Sequence, residues 1–284
     1  MSSQKLFMIK NILLKFCIIG LCFASCSSSG KKEDPTPEPP TQTDIPFKVM
    51  TYNIWAVRTG GLTEHVLQDI AAVIKRADPD LVALQEVDSL TRRNPIDITK
   101  KLAELTGMHY FFAKAMDYQG GGYGEAILSK LPIKDAKRIP LGTTTELPGE
   151  PRAMAQVTVE KNNKEIYFIG THLDHLANEA NRIKQATDIV AYLKTLDKPI
   201  IFGGDLNALP NSQTMNILKN HLIPGCINNI CAFTFPADNP NRTIDYLMYA
   251  PLNSFSVSSY QAYTWASTTS DHLPVLATFR LKSM

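Results

Sequence analysis

A sheet-rich, layered α/β domain is what the sequence predicts over most of its 284 residues. Three observations point there. Apolar runs of strand length recur along the chain, and fewer helical periodicities lie between them. The polar residues with chemical potential fall at or beside strand ends. The length suffices for one large domain with a sizeable core. Strands outnumber helices, which argues against a strict parallel barrel, and no internal repeat is visible.

The elements follow in order. "FKVMTYNIW" has a strand pattern. In "TEHVLQDIAAVIKRADPD", Val66, Ile70, Val73 and Ile74 share a helical face, with Thr63 as a candidate cap and Pro79 as a stop. "DLVALQEV" reads as a buried strand. "DITKKLAELTG" sets Ile98, Leu102 and Leu105 on one face and ends at Gly107, a favourable helix terminus. "YGEAILS", "AMAQVTVE" and "EIYFIGTHL" are strands, "ANRIKQATDIVAYLK" is an amphipathic helix, and "PIIFGGDL", "DYLMYA" and "VLATFRL" are strands again.

The N-terminus stands apart from this domain. Lys5, Lys10 and Lys15 precede the apolar "FCIIGLCFASC", a basic start and apolar stretch of signal-peptide length, too short for a membrane span. Ala24 and Ser25 sit directly before Cys26, as in a bacterial lipoprotein signal whose cysteine becomes the lipidated first residue. A plain secretory signal is the alternative. Residues 1–25 are therefore expected to be a signal peptide, 26–45 a flexible proline-rich tether and 46–284 the folded domain. The expected location is the cell envelope, outside the cytoplasm and anchored to the membrane through Cys26. A monomer is expected.

The full chain carries 29 basic and 27 acidic residues, and loss of the signal removes three lysines and no acid, leaving 26 against 27. No basic excess of the kind that tracks a nucleic-acid backbone is present. After processing, Cys226 and Cys231 remain for the globular part. They either form a local disulfide in an oxidising compartment or stay as two buried thiols; two cysteines without suitably spaced histidines fall short of a zinc site.

Asn53, Glu86, His172, Asp205 with Asn207, and Asp271 with His272 lie at or beside strand ends, where a rigid sheet can hold them in place. Taken singly, each has an ordinary reading. Asn53 suits a strand-end turn, Asp205 and Asn207 an Asp–Asn turn, and Asp271 a cap beside a surface histidine. Glu86 at the end of an apolar strand is more telling, because a carboxylate there is costly to bury unless paired or metal-bound. Two glycines before Asp205 permit close backbone approach.

The ordered series TYNIW, LQEVD, YGEAILSK, EPRAM, GTHLDH, GGDLNALP, IDYLMY, SDHLP resembles the endonuclease/exonuclease/phosphatase superfamily, from about Phe47 to Leu281. The resemblance implies a four-layer α/β/β/α sandwich, two packed mixed β-sheets flanked by helices, with the site at one end of the sheets. It implies Glu86 as principal ligand of a divalent metal, with Asn53 and Asp271 beside it. Oxygen-rich ligands suit Mg²⁺, and Mn²⁺ also fits. It further implies that Asp205 aligns or deprotonates the attacking water, that Asn207 donates to phosphoryl oxygens, and that His272, held by Asp245, binds the scissile phosphate. His172 would be a second phosphate donor oriented by Glu125, both rings staying protonated near neutral pH, and Arg152 a phosphate contact or a surface partner of Glu150.

The expected activity is Mg²⁺-dependent hydrolysis of a phosphodiester or phosphomonoester by water attack, with lipid or inositol head-group phosphoesters as the leading substrate class. A nuclease is the first alternative. A catalytically inactive binding lipoprotein is the second, and it conflicts with the presence of Glu86, Asp205, Asn207 and His272 together.

Overall fold

The computed structural model describes residues 43–57 and 64–283. The signal peptide, Cys26, most of the tether and the Thr63 cap lie outside the described residues.

Two six-stranded sheets form the centre of the domain. In the first, β11 (Phe255–Ala262), β12 (Val275–Leu281), β1 (Ile45–Asn53), β2 (Leu81–Ser89), β4 (Gly121–Ser129) and β3 (His109–Tyr118) lie side by side in that order. In the second the order is β5 (Ile133–Leu141), β6 (Arg152–Lys161), β7 (Lys164–His172), β8 (Ile200–Asp205), β10 (Asp245–Ala250) and β9 (Ile223–Pro224). Each sheet is mixed. Its one parallel pair, β1 with β2 or β7 with β8, is joined through a helix, α1 (Glu64–Ala77) or α3 (Ala180–Leu193). A parallel pair needs such a crossover, because a tight turn can only reverse the chain.

Both faces of the central strands are buried, and their near-continuous apolar runs follow from that. Along β1, Phe47 and Val49 point between the sheets, against Val157, Phe168, Ile201 and Leu247 of the second sheet. Met50 and Tyr52 point the other way, into a cluster with Ile70, Val73 and Ile74 of α1 and Leu102 of α2 (Ile98–Thr106). On the far side of the second sheet, Met154, Ile169, Phe202 and Met248 pack with Ile189 and Leu193 of α3 and Met215 of α4 (Gln213–Leu218). The layers are helix, sheet, sheet, helix, as expected.

Asp97 caps α2 by accepting from Lys100 N, and Gly107 ends it in the left-handed conformation at φ +70°. Cys226 and Cys231 form a disulfide, with their Cα atoms 4.9 Å apart.

Candidate active site

The parallel strands bring chemistry to one end of the sandwich. Asn53 is the last residue of β1, His172 of β7 and Asp205 of β8. In register, Asp205 lies opposite His172 on one side and opposite Asp245, the first residue of β10, on the other. Three chemical side chains thus stand in a row across adjacent strands. Glycines let the backbones close up here: a Cβ on Gly204 would run into the carbonyl oxygen of Thr171, and one on Gly170 would sit 2.9 Å from Ala83 Cβ of the other sheet.

Asn53 ties the two sheets together. Its Nδ2 donates to Asp205 Oδ2 at 3.0 Å and to Glu86 Oε1 at 3.3 Å, while its Oδ1 accepts from Trp55 N at 3.0 Å. Glu86 does not close its strand, which runs on to Ser89. It sits where the pairing of β2 with β4 slips between Leu84 and Val87, and it adopts φ +56°. Such a bulge re-aims one side chain without ending the strand, and here it leaves Glu86 half-exposed between buried neighbours.

His272 Nδ1 and Asp245 Oδ2 are 3.0 Å apart, and His272 Nε2 lies 3.7 Å from Asp205 Oδ2. Burial works against charge on His272, but Asp245 and then Asp205 outweigh it and raise the imidazole to about 10, so the ring is protonated at neutral pH. Burial, and after it the neighbouring Asp245, push the Asp205 carboxyl up, against the pull of His272 and of the hydrogen bonds from Asn207 N and Asn53. Phe235 packs on the His272 ring with centroids 4.7 Å apart.

His172 behaves differently from the expectation. Its Nε2 accepts from Asn207 Nδ2 at 3.0 Å, and its Nδ1 faces Arg152 Nη1 at 3.4 Å. Nε2 also lies 3.5 Å from Asp205 Oδ2, while the Arg152 guanidinium stands beside Nδ1. Burial, then Arg152 and the two other nearby histidines, hold the ring well below the usual histidine range. The expected Glu125–His172 pair is not formed. Glu125 is fully buried and neither of its carboxylate oxygens has a hydrogen-bond partner among the described residues. The buried Arg152 faces the ring instead. Arg152 also pairs with Glu150 at 3.1 Å, so the salt bridge is present, but the guanidinium lies in the cavity wall and not on the surface.

Asn207 is not on an extended segment. It has φ +46°, its backbone N–H donates to Asp205 Oδ1 at 2.9 Å, and its Nδ2 also donates to Leu173 O at 3.1 Å. The Asp-x-Asn stretch is an Asx turn as well as a site element.

These groups line a cavity of about 350 Å³ whose wall includes Glu86, Arg152, His172, Asp205, Asn207, Asp271 and His272. Asp245 and Glu125 stand behind it. Residues the sequence reading did not single out also line it: Arg93, Met116, Tyr118, Tyr123 and Phe235. Most of these come from the β2–α2 connection and from β3, an edge strand, and no local pattern marks them.

Two donor sets fit a divalent cation. Asp205, Asp245 and His272 have ligand atoms all within 4.8 Å of one another. Their mutual hydrogen bond and opposite charges already account for that closeness. Glu86, which accepts from Asn53, and Asp271, which accepts from Ser270, form the second set. Both carboxylates face the cavity; burial raises Asp271 and the charge of Glu86 adds to the rise, against the pull of His272 and a hydrogen bond from Ser270. Oxygen donors that repel one another beside open space are the set a hard cation would satisfy.

Two packed mixed sheets flanked by helices thus gather acids and imidazoles at one end. The family model for the endonuclease/exonuclease/phosphatase family matches residues 50–272, and the chain belongs to that family. Its members are hydrolases acting on phosphoesters and are typically metal-dependent. The chain is 23% identical to an uncharacterized protein of Escherichia coli, YbhP, over 85% of this chain and all of that one. Among solved structures it is similar to a family protein of Bacteroides thetaiotaomicron (TM-score 0.69, 19% identity, 85% of this chain and 100% of that). It is similar also to a mannosyl-6-phosphatase of the same organism (TM-score 0.66, 20% identity, 82% and 99%) and to the human Nocturnin catalytic domain (TM-score 0.65, 21% identity, 84% and 96%). At these identities the likeness is one of fold.

Proposed function

We propose that this chain hydrolyses a small phosphoester by water attack, with lipid or inositol head groups and related polyol phosphates as its substrate class. The observation that carries the reading is the pairing, in one cavity, of a buried carboxylate with a protonated imidazole, Asp205 and His272, beside the cavity-lining acids Glu86 and Asp271. Glu86 and Asp271 would hold Mg²⁺ or Mn²⁺, which when bound polarises a phosphoryl oxygen and offsets developing charge.

The chain's own groups divide the remaining work. Asp205 takes the proton of the attacking water, and the rise in its pKa makes it a better base near neutrality. His272 donates to the phosphoryl group and is held in angle and charge by Asp245. Arg152 is the buried cation for the phosphate. Asn207 and His172 hold each other through the Nδ2–Nε2 hydrogen bond and keep the polar wall in place. A cavity of about 350 Å³ is of head-group size, at the small end for ligand sites, and the likeness in fold to a mannosyl-6-phosphatase agrees with a polyol phosphate.

A panel of inositol phosphates, sugar phosphates, phospholipids, sphingomyelin and DNA, each with and without Mg²⁺, tests the reading. Turnover of small phosphoesters that stops in excess chelator is expected. Preferential cleavage of DNA would transfer the assignment to a nuclease. The lipoprotein reading is part of the proposal: a fatty-acid label should mark the wild type and not Cys26→Ser, and equal labelling of both would remove that anchor.

A further inference from the structure

Arg93 lines the cavity, yet the proposed reaction has no task for it. It lies in the connection between β2 and α2. Its Nε donates to Asp88 Oδ2 at 2.6 Å and its Nη2 to Asp88 Oδ1 at 2.9 Å. Asp88 is itself fully buried and also accepts from Asn94 Nδ2 at 2.6 Å and Thr91 Oγ1 at 3.2 Å. The guanidinium carbon sits 4.5 Å from the ring centroid of Tyr118 and 5.7 Å from that of Tyr123. One edge of the guanidinium is clamped by a carboxylate and one face is stacked on aromatic rings. A long side chain loses most of its rotamer freedom in such an arrangement, and Nη1 is the nitrogen that Asp88 does not engage.

The two arginines of the cavity differ in how their charge is met. Arg152 is paired with Glu150, whose side chain is 43% exposed, so solvent weakens that pairing. Arg93 is paired in bidentate fashion with a carboxylate that is 0% exposed, so its charge is met at close range. An anion placed beside Arg93 would also meet Asp88. A neutral oxygen would not, and it could still accept from Nη1. The neighbouring wall is made of Tyr118, Tyr123, Met116 and Trp55, which suits the C–H faces of a ring and not a second phosphate.

We propose that Arg93 and its tyrosine platform form a leaving-group subsite that reads neutral hydroxyl oxygens, so that the protein selects phosphoesters of a polyhydroxylated ring, a sugar or cyclitol, over those of a leaving group without hydroxyls. The inference rests on the phosphoesterase reading above. A site built to donate to a substrate hydroxyl discriminates against an analogue lacking it, because a part-buried donor fixed in place is then left without that partner.

The test is the ratio of kcat/KM for inositol 1-phosphate to that for phenyl phosphate, measured on wild type and Arg93→Lys. For a wild type that takes only diesters, glycerophosphoinositol and the p-nitrophenyl diester of phosphate replace them. Wild type should favour the hydroxylated substrate. Arg93→Lys keeps the charge but loses the planar fork, and the ratio should fall at least about tenfold, mainly through KM. Tyr118→Leu, at a half-exposed position, removes the platform while leaving the Arg93–Asp88 pair, and should shift the ratio the same way; it serves where Arg93→Lys fails to fold. An unchanged ratio in the folded variants, with both substrates slowed alike, overturns the subsite and leaves the phosphoesterase reading standing. A wild type inactive on every phosphoester overturns both.

Discussion

Glu125 is a fully buried carboxylate with no hydrogen-bond partner among the described residues, and its chemistry can be read through stability. Burial first, with Arg152 pulling the other way, raises it from 4.5 to about 8. A carboxyl whose folded pKa lies above its unfolded value contributes most below the unfolded pKa. That contribution is lost as pH rises through the folded pKa. The wild type should therefore lose stability relative to Glu125→Gln at about 1.4 kcal/mol per pH unit between roughly pH 4.5 and 8, and no further above that. Denaturant melts at pH 4, 6 and 8 check it, and parallel curves for the two proteins would mean that Glu125 is already compensated.

At the same scale, His272 and His172 should separate. His272→Ala removes a protonated donor and should cost about 10²- to 10⁴-fold in kcat, with Asp245→Asn costing less because the ring remains. His172→Ala removes a neutral ring that accepts from Asn207 and should cost less than His272→Ala. Equal losses for the two histidines would restore the expectation of two charged donors. Sequence order was enough to name both histidines. Their opposite protonation was not legible, because it depends on burial and then on Arg152, which lies 20 residues from His172 along the chain.

Among the elements, β8 is one that leaves no room for change at its site end. Gly204 lies against the Thr171 carbonyl of β7, so Gly204→Ala forces the strands apart where Asp205 and His172 stand opposite each other. A loss of about 1–3 kcal/mol is expected, as for overpacking in a close-packed interior, together with impaired activity. A thermal melt and a rate assay on the same preparation measure it, and an unchanged melt would show that the strand absorbs the methyl group.

Strands were legible in proportion to their burial. The central strands β1, β2, β4, β6, β7, β8, β10 and β12 each carry an apolar run. The four strands without a clear signal, β3, β5, β9 and β11, are the edges of the two sheets. Along β5, Lys134, Asp135, Lys137 and Arg138 are exposed. An edge strand with charged residues shows little alternation and discourages pairing with other chains. The bulge at Glu86 was likewise hidden, because one extra residue in "ALQEVD" leaves no compositional trace.

For the whole molecule, removal of divalent metal should abolish activity without unfolding the domain. The apolar clusters on both faces of each sheet hold the layers together without it. Circular dichroism should be unchanged in chelator while turnover stops and returns with Mg²⁺ or Mn²⁺, and Glu86→Gln should remain inactive at any concentration of either ion. Full turnover in excess chelator would remove the metal from the proposal.

What the sequence determined by itself is the layered α/β architecture, the end of α2 at Gly107, and most of the acids and imidazoles that line the cavity. Those are properties of local periodicity, capping and motif order, which survive in one dimension. The tertiary structure alone decided which side chains pair: Asn53 bridging the sheets to Asp205 and Glu86, Arg152 in place of Glu125 beside His172, and Arg93 locked to Asp88 against Tyr118. The Asn53 and Asp205 side chains are 152 residues apart in the chain and 3.0 Å apart in space. The reason is physical: charge, burial and hydrogen bonding act through a few ångströms of space, and only the packing of two sheets sets those distances.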